Sequence, residues 1–166
     1  MILVALGSNV VGPWGSPRET VLRALEELGR FPLRRVAASS LMVTKPFGVL
    51  NQPDFVNAAA VIDTALPPEA LMRKLHMIEH AAGRRRGRRW GPRTLDLDLL
   101  EYHGLMRLGS PNASKRLRLP HPGIAERDFV LAPLVEIAPH WKHPQTHLTA
   151  QEMLKRFRLV AALAAH

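Results

Sequence analysis

The stretch Thr94–Tyr102, "TLDLDLLEY", alternates leucine with a polar residue over its first six positions. Successive side chains of a strand point to opposite faces, and residues two apart share one. The pattern predicts a strand over 94–102 that turns Leu95, Leu97 and Leu99 into a core. Thr94, Asp96 and Asp98 then share the other face, the aspartates roughly 7 Å apart at their Cα atoms. Carboxylates that close raise one another's pKa unless a cation lies between them. Directly upstream stand Arg84, Arg85, Arg86, Arg88, Arg89 and Arg93, interrupted by Gly87, Trp90 and Gly91-Pro92.

Working outward, residues 2–6 read as a buried strand ending at Gly7-Ser8-Asn9. Ser16 is a good helix N-cap, Pro17 suits the first helical position, and Glu19 completes a capping box. Val21, Leu22, Leu25 and Leu28 give that helix one apolar stripe, and Gly29 ends it. Residues 34–44 and 55–64 read as strands rich in Val, Ile, Ala and Thr, separated by the loop "KPFGVLNQPD". A second helix runs from near Pro67 to about Ala82, with Leu71, Leu75 and Ile78 inward and Gly83 as its stop. Residues 105–119 suggest a hairpin with its tip at "GSPNAS". Two further helices are expected over about 130–136 and 150–157. Strand, helix, strand, strand, helix, strand is the order of an α+β, ferredoxin-like antiparallel sheet with helices packed on it. The remaining helices are additions at its C-terminal end. Without repeats or linkers, residues 1–166 read as a single domain.

The formal net charge of +9 points to a polyanionic partner, nucleic acid or nucleotide phosphate. There is no cysteine, which excludes disulfides and thiolate zinc sites and fits a reducing cytoplasm. No apolar run is long enough to span a bilayer, so no membrane partner is expected. The start, "MILVALGSN", reads as a strand and not as a leader peptide.

Four readings fit the aspartates and arginines. The aspartates can form a solvated polar face, each paired with an arginine. They can hold magnesium, a hard cation that prefers oxygen ligands, for phosphoryl transfer. Like charge and glycines keep the arginine segment from compacting, which predicts a mobile loop that orders when phosphate arrives. Arginine binds phosphate oxygens bidentately, and Trp90 can cover a base or pin the loop. The rivals are a basic nucleic-acid-binding protein and a two-metal nuclease. The aspartates count against the first, since they repel a phosphate backbone unless metals intervene.

Four segments, "GSN" (7–9), "QPDFVNAA" (52–59), "RWGPRTLDLDLL" (89–100) and "LPHPGIAERDFVLAPLVEIAP" (119–139), occur in this order. Together they closely resemble the 6-hydroxymethyl-7,8-dihydropterin pyrophosphokinase family of folate biosynthesis. The resemblance implies transfer of the β,γ-pyrophosphoryl group of ATP to the pterin hydroxymethyl oxygen, AMP leaving, with two magnesium ions as cofactor. It makes Asp96 and Asp98 the metal ligands, and Arg84 and Arg93 the arginines that stabilise the transferring group. Thr44, Phe47, Phe55, Asn57 and Phe129 become the pterin pocket, two phenylalanine rings sandwiching the bicycle and Asn57 reading its edge. Glu79, Arg84, Trp90, Arg93, the backbone at Leu99, Arg116, Arg118, His121 and Arg127 fall on the ATP side. ATP and the pterin are then the partners of a monomer that needs no nucleic acid. Three features depart from the family pattern: a shorter Arg84–Trp90 loop, Pro122 where many members carry tyrosine, and a longer 105–119 hairpin.

Overall fold

The computed structural model describes residues 1–45, 51–85, 93–109 and 117–165. Along the chain these form β1 (Ile2–Ser8), α1 (Pro17–Glu27), β2 (Leu33–Ala38), β3 (Met42–Thr44), β4 (Phe55–Thr64), α2 (Pro68–Ala81) and β5 (Asp96–Tyr102). A short 3-10 turn at Ile124–Glu126, α3 (Asp128–Ile137) and α4 (Ala150–Ala164) follow. The strands lie in the order β2-β4-β1-β5, neighbours antiparallel, and β3 continues along the β2 edge of β4. This is the ferredoxin-like arrangement with two helices added after it.

The capping box at Ser16 is present: the Ser16 hydroxyl accepts the Glu19 amide at 3.2 Å and the Glu19 carboxylate accepts the Ser16 amide. Helices α1 and α2 cover one face of the sheet. There Ile2, Val4, Leu6, Leu95, Leu97 and Leu99 meet Val21, Leu25 and Leu28 of the α1 segment and Leu71, Leu75 and Ile78 of α2. Leu22 departs from the expected stripe: it is 41% exposed, and Ala24 takes the inward position.

Helices α3 and α4 cover only part of the opposite face. Leu3, Ala59, Val61 and Leu100 pack there against Val130, Leu131 and Leu134 of α3 and Met153 and Leu154 of α4. Among the described residues one end of that face is left uncovered, and the polar residues of three strands gather at it.

Three further expectations change. The strand over 34–44 is broken, because the Ser39 hydroxyl takes the Ala59 amide at 2.9 Å in place of a strand carbonyl. Ser40 then turns outward, its amide and hydroxyl both bonding the Glu136 carboxylate on α3 at 2.9 and 2.8 Å. The alternation over 94–102 also fails near its end: Val4 faces Leu99 but Leu3 faces Glu101, a bulge. Leu100 keeps the face of Asp96 and Asp98 and enters the second core, while the bulge turns Glu101 to that same side, opposite Leu3. Glu101 is buried, its carboxylate accepting the amides of Tyr102 and Gly104 and the Trp141 Nε1–H. Finally α4 runs past Phe157 to Ala164 through exposed alanines and leucines, good helix formers that continue the helix without packing. Of the 105–119 hairpin, one antiparallel bridge between Arg107 and Leu119 is described, and its tip lies outside the described residues.

Candidate active site

The uncovered end of the sheet is the floor of a cavity of about 320 Å³. Three adjacent strands supply it. Asn57 of β4 pairs with Gly7 of β1, and Gly7 with Asp96 of β5, a single row across the sheet. The next row is Ala59, Ala5 and Asp98. At the 4.7–4.9 Å spacing of strands, Asn57 and Asp96 are roughly 10 Å apart at Cα. That distance suits a molecule with a flat polar part and a phosphate part.

On the β4 side the cavity is lined by Thr44, Lys45, Phe55 and Asn57, and by Phe129 at the start of α3. Asn57 is 4% exposed, and its Nδ2 donates to the Thr44 hydroxyl at 2.5 Å. Gly7 makes room for that amide, since a Cβ there would lie 3.2 Å from Asn57 Oδ1 and 3.6 Å from the Phe55 ring.

On the β5 side stand Asp96, Asp98, Arg84, Arg93, His121 and Arg127. Arg84 Nη1 donates to Asp96 Oδ1 at 2.7 Å and also to the Glu79 carboxylate. Glu79 does not face the cavity. It reaches from α2 to the edge of β5, where Oε2 accepts the Leu97 amide at 2.8 Å. Burial pushes its carboxyl up to about 7, against the pull of the Leu97 amide and Arg84. Burial, and next the charge of Asp96, pushes Asp98 upward, while Arg127 at 3.7 Å opposes both.

His121 hangs from β5 through its amide, which donates to the Leu100 carbonyl at 2.8 Å. Its Nδ1 accepts the Gly123 amide at 3.0 Å. Nε2 therefore carries the proton of the neutral ring, 4.0 Å from Asp98 Oδ1. Burial, then the charge of Arg127, lowers the His121 pKa to about 4, so the ring is neutral near pH 7. Gly123 has its own part: a Cβ there would meet the Arg127 guanidinium carbon at 2.9 Å.

The donors suit a divalent cation. Two hard carboxylate oxygen donors face one cavity; burial and next the charge of Asp96 raise Asp98, and a cation between the two would offset that repulsion. Among the described residues no group of three or more His, Cys, Asp or Glu forms a cage. Magnesium is ordinarily held by one or two carboxylates, with the rest of its shell from water and substrate phosphates.

A profile of the 7,8-dihydro-6-hydroxymethylpterin-pyrophosphokinase family matches residues 3–139. The chain belongs to that family. It is 44% identical over 144 residues to the 2-amino-4-hydroxy-6-hydroxymethyldihydropteridine pyrophosphokinase of Pseudomonas aeruginosa, covering 86% of this chain and 83% of the relative. The enzyme of the same name from Haemophilus influenzae is 40% identical over 154 residues, 93% of this chain and 91% of the relative. Solved structures show the same fold at low identity. One is the crystal structure of Plasmodium falciparum HPPK-DHPS with pteroate, at TM-score 0.69 and 13% identity. The match covers 94% of this chain and 42% of that one. Another, HPPK-DHPS in complex with substrates, gives TM-score 0.72 at 14% identity, covering 96% of this chain and 44% of that one. Membership makes the chain a pyrophosphokinase of the hydroxymethyldihydropterin class.

The structure gathers Thr44, Phe55, Asn57, Arg84, Arg93, Asp96, Asp98, His121, Arg127 and Phe129 around one cavity. It does not bring three others there. Glu79 sits behind β5 and reaches the cavity only through Arg84. The Leu99 side chain is buried in the first core, which leaves its backbone alone for contact. Arg118 lies against Gly109. Phe47, Trp90, Arg116 and most of the arginine loop fall outside the described residues. Lys45, Gly7 and Gly123 were missed. The glycines had a signal in their motifs, but what each makes room for depends on strand pairing and a turn that no local pattern reveals.

Proposed function

We propose that the protein transfers the β,γ-pyrophosphoryl group of ATP to the hydroxymethyl oxygen of 6-hydroxymethyl-7,8-dihydropterin, releasing AMP, in the cytoplasm as a monomer. The observation that carries this reading is the row Asn57–Gly7–Asp96, which joins an aromatic-amide pocket to a carboxylate-arginine pocket on one floor. A flat, hydrogen-bonding bicycle fits between Phe55 and Phe129 with its edge on Asn57. The triphosphate fits beside Arg93, Arg127 and the neutral Nε2–H of His121.

Asp96 and Asp98 are the residues that would hold magnesium, two ions in this reading. Bound there, the metal supplies neutralisation of phosphate charge and makes the pterin hydroxyl more acidic. The chain's own residues do the rest by position. The pterin hydroxyl oxygen bonds to the β-phosphorus as the bond from that phosphorus to the α,β-bridging oxygen breaks, the bridging oxygen leaving with AMP and the hydroxyl proton passing to solvent. Arg93 and Arg127 meet charge that shifts onto the transferred group, and His121 donates without adding a charge of its own. Arg84 bonds one Asp96 oxygen, Oδ1, and the Glu79 carboxylate, which places its guanidinium beside the carboxylates to meet the polyphosphate.

The test is direct. Incubation with magnesium, ATP and the hydroxymethyl-dihydropterin should yield AMP and the pterin diphosphate in equal amounts, and yield no AMP when magnesium is chelated. ADP as the main nucleotide product, or no turnover, refutes the reading. Phe55→Ala and Asn57→Ala should weaken pterin binding far more than ATP binding.

A further inference from the structure

Asn9 follows β1 and lies outside the cavity, yet it is bonded to segments on both sides of it. The residue is 1% exposed. Its Nδ2 donates to Gln52 Oε1 at 2.8 Å and to the Pro53 carbonyl at 3.1 Å. Its Oδ1 accepts the Arg93 amide at 2.8 Å, and its own backbone amide donates to the Arg93 carbonyl at 3.0 Å. A primary amide is suited to this place because it donates two hydrogens on one side and accepts on the other. A carboxylate offers no donor to Gln52 and Pro53, and a hydroxyl is too short to reach both segments.

The two segments serve different parts of the site. Gln52 and Pro53 lead into β4 and the Phe55 ring that lines the pterin half. Arg93 lines the phosphate half, three residues before Asp96. Buried hydrogen bonds of this kind hold their partners in register, and breaking one side leaves a polar group unmatched.

We propose that Asn9 is a positioning residue that couples the two halves of the site, tying the backbone of Arg93 to the 52–53 turn so that seating one substrate orders the contact for the other. The proposal rests on the pterin and nucleotide reading above. Asn9 touches neither substrate in it; the residue acts through Arg93 and the turn.

The experiment measures heterotropic coupling on the full chain. Binding of 6-hydroxymethyl-7,8-dihydropterin is followed by calorimetry with and without magnesium and a non-hydrolysable ATP analogue. The wild type should bind the pterin at least about 5-fold tighter with the nucleotide present, within the usual range of coupling between sites. Asn9→Asp keeps the acceptor for the Arg93 amide but loses both donors to the turn. Its coupling ratio should fall to within about 2-fold of unity, while each ligand alone binds within about 3-fold of wild type. Gln52→Ala removes one of the two acceptors and should lose part of the ratio. This variant decides the matter if Asn9→Asp does not fold. An unchanged ratio in either variant overturns the proposal, as does equal weakening of both ligands, the mark of a merely structural residue. A wild type that releases AMP but shows no coupling also overturns it and leaves the functional reading standing. A wild type that binds neither ligand overturns the functional reading itself, and the proposal with it.

Discussion

At the scale of single residues the site sets two carboxylates, Asp96 and Asp98, side by side on one cavity wall. Asp98 carries the cost, pushed up by burial and by Asp96. Removing that charge should therefore cut function without harming the fold. Asp98→Asn should lower kcat by roughly 10²–10³-fold or more, the scale of losing a main electrostatic contact in the transition state. Its Tm should stay equal to or above that of the wild type, because a repulsion is removed and no apolar contact is lost. Turnover near wild type at millimolar magnesium would show that Asp98 holds no metal.

Glu79 and His121 give a pH prediction with opposite signs. The folded-state pKa of Glu79 is raised to about 7, so the stability it contributes is full below its ordinary value near 4.5 and is lost as pH rises toward 7. His121 is lowered to about 4, so its contribution is full above 6.5 and is lost as pH falls toward 4. Each effect is on the order of 3 kcal/mol across its full pH range. Between pH 4.5 and 6.5 Asp98 acts in the same direction as Glu79, and His143 in the same direction as His121. Glu79→Gln should make stability rise more steeply with pH across that window, and His121→Gln should make it rise less or fall. Urea melts at several pH values check both, and identical slopes in all three proteins would show that neither group titrates as its surroundings imply.

At the scale of elements, what was legible in the sequence was what local chemistry decides. Ser16 and Glu19 had to form their capping box, and the leucines of 95–99 had to share a face. What was not legible depended on distant partners. Nothing between residues 34 and 44 announces that the Ser39 hydroxyl will stand in for a strand carbonyl toward Ala59, twenty residues on. The bulge at Leu100 is likewise set by its partner strand and by the buried Glu101 carboxylate, which Trp141 satisfies from after α3. Ser39→Ala should leave the buried Ala59 amide without its acceptor and cost about 1–3 kcal/mol in a denaturant melt. Because Thr44 on β3 holds Asn57, the same change should weaken pterin binding more than nucleotide binding. A loss below about 0.3 kcal/mol would mean that water or a shifted backbone replaces the hydroxyl at little cost.

At the scale of the whole molecule, the site exists because the second face of the sheet is only partly covered. Along β4 the residues facing that side run Phe55, Asn57, Ala59, Val61, and along β5 they run Asp96, Asp98, Leu100. Each series turns from site to core where α3 and α4 begin to cover it. The sequence showed the aspartates and the amide separately, but not that one β1 glycine would stand between them. Gly7 is the place where that arrangement can be tested. A methyl group there would lie 3.2 Å from Asn57 Oδ1, tighter than side chains ordinarily tolerate, and would face the cavity, not the packed core. The amide would have to shift, and its bond to Thr44 would shift with it. Gly7→Ala should thus reduce pterin affinity by about 10-fold or more, since a site built to hydrogen-bond a ring edge punishes misplacement of its reader. Asp96, across the strand on the far side of Gly7, keeps its place, so affinity for magnesium and an ATP analogue should stay within about 2-fold of wild type. Calorimetric titration of each ligand separately decides it. Equal losses for both would show that the glycine serves the sheet as a whole, and unchanged pterin binding would show that Asn57 does not read the ring.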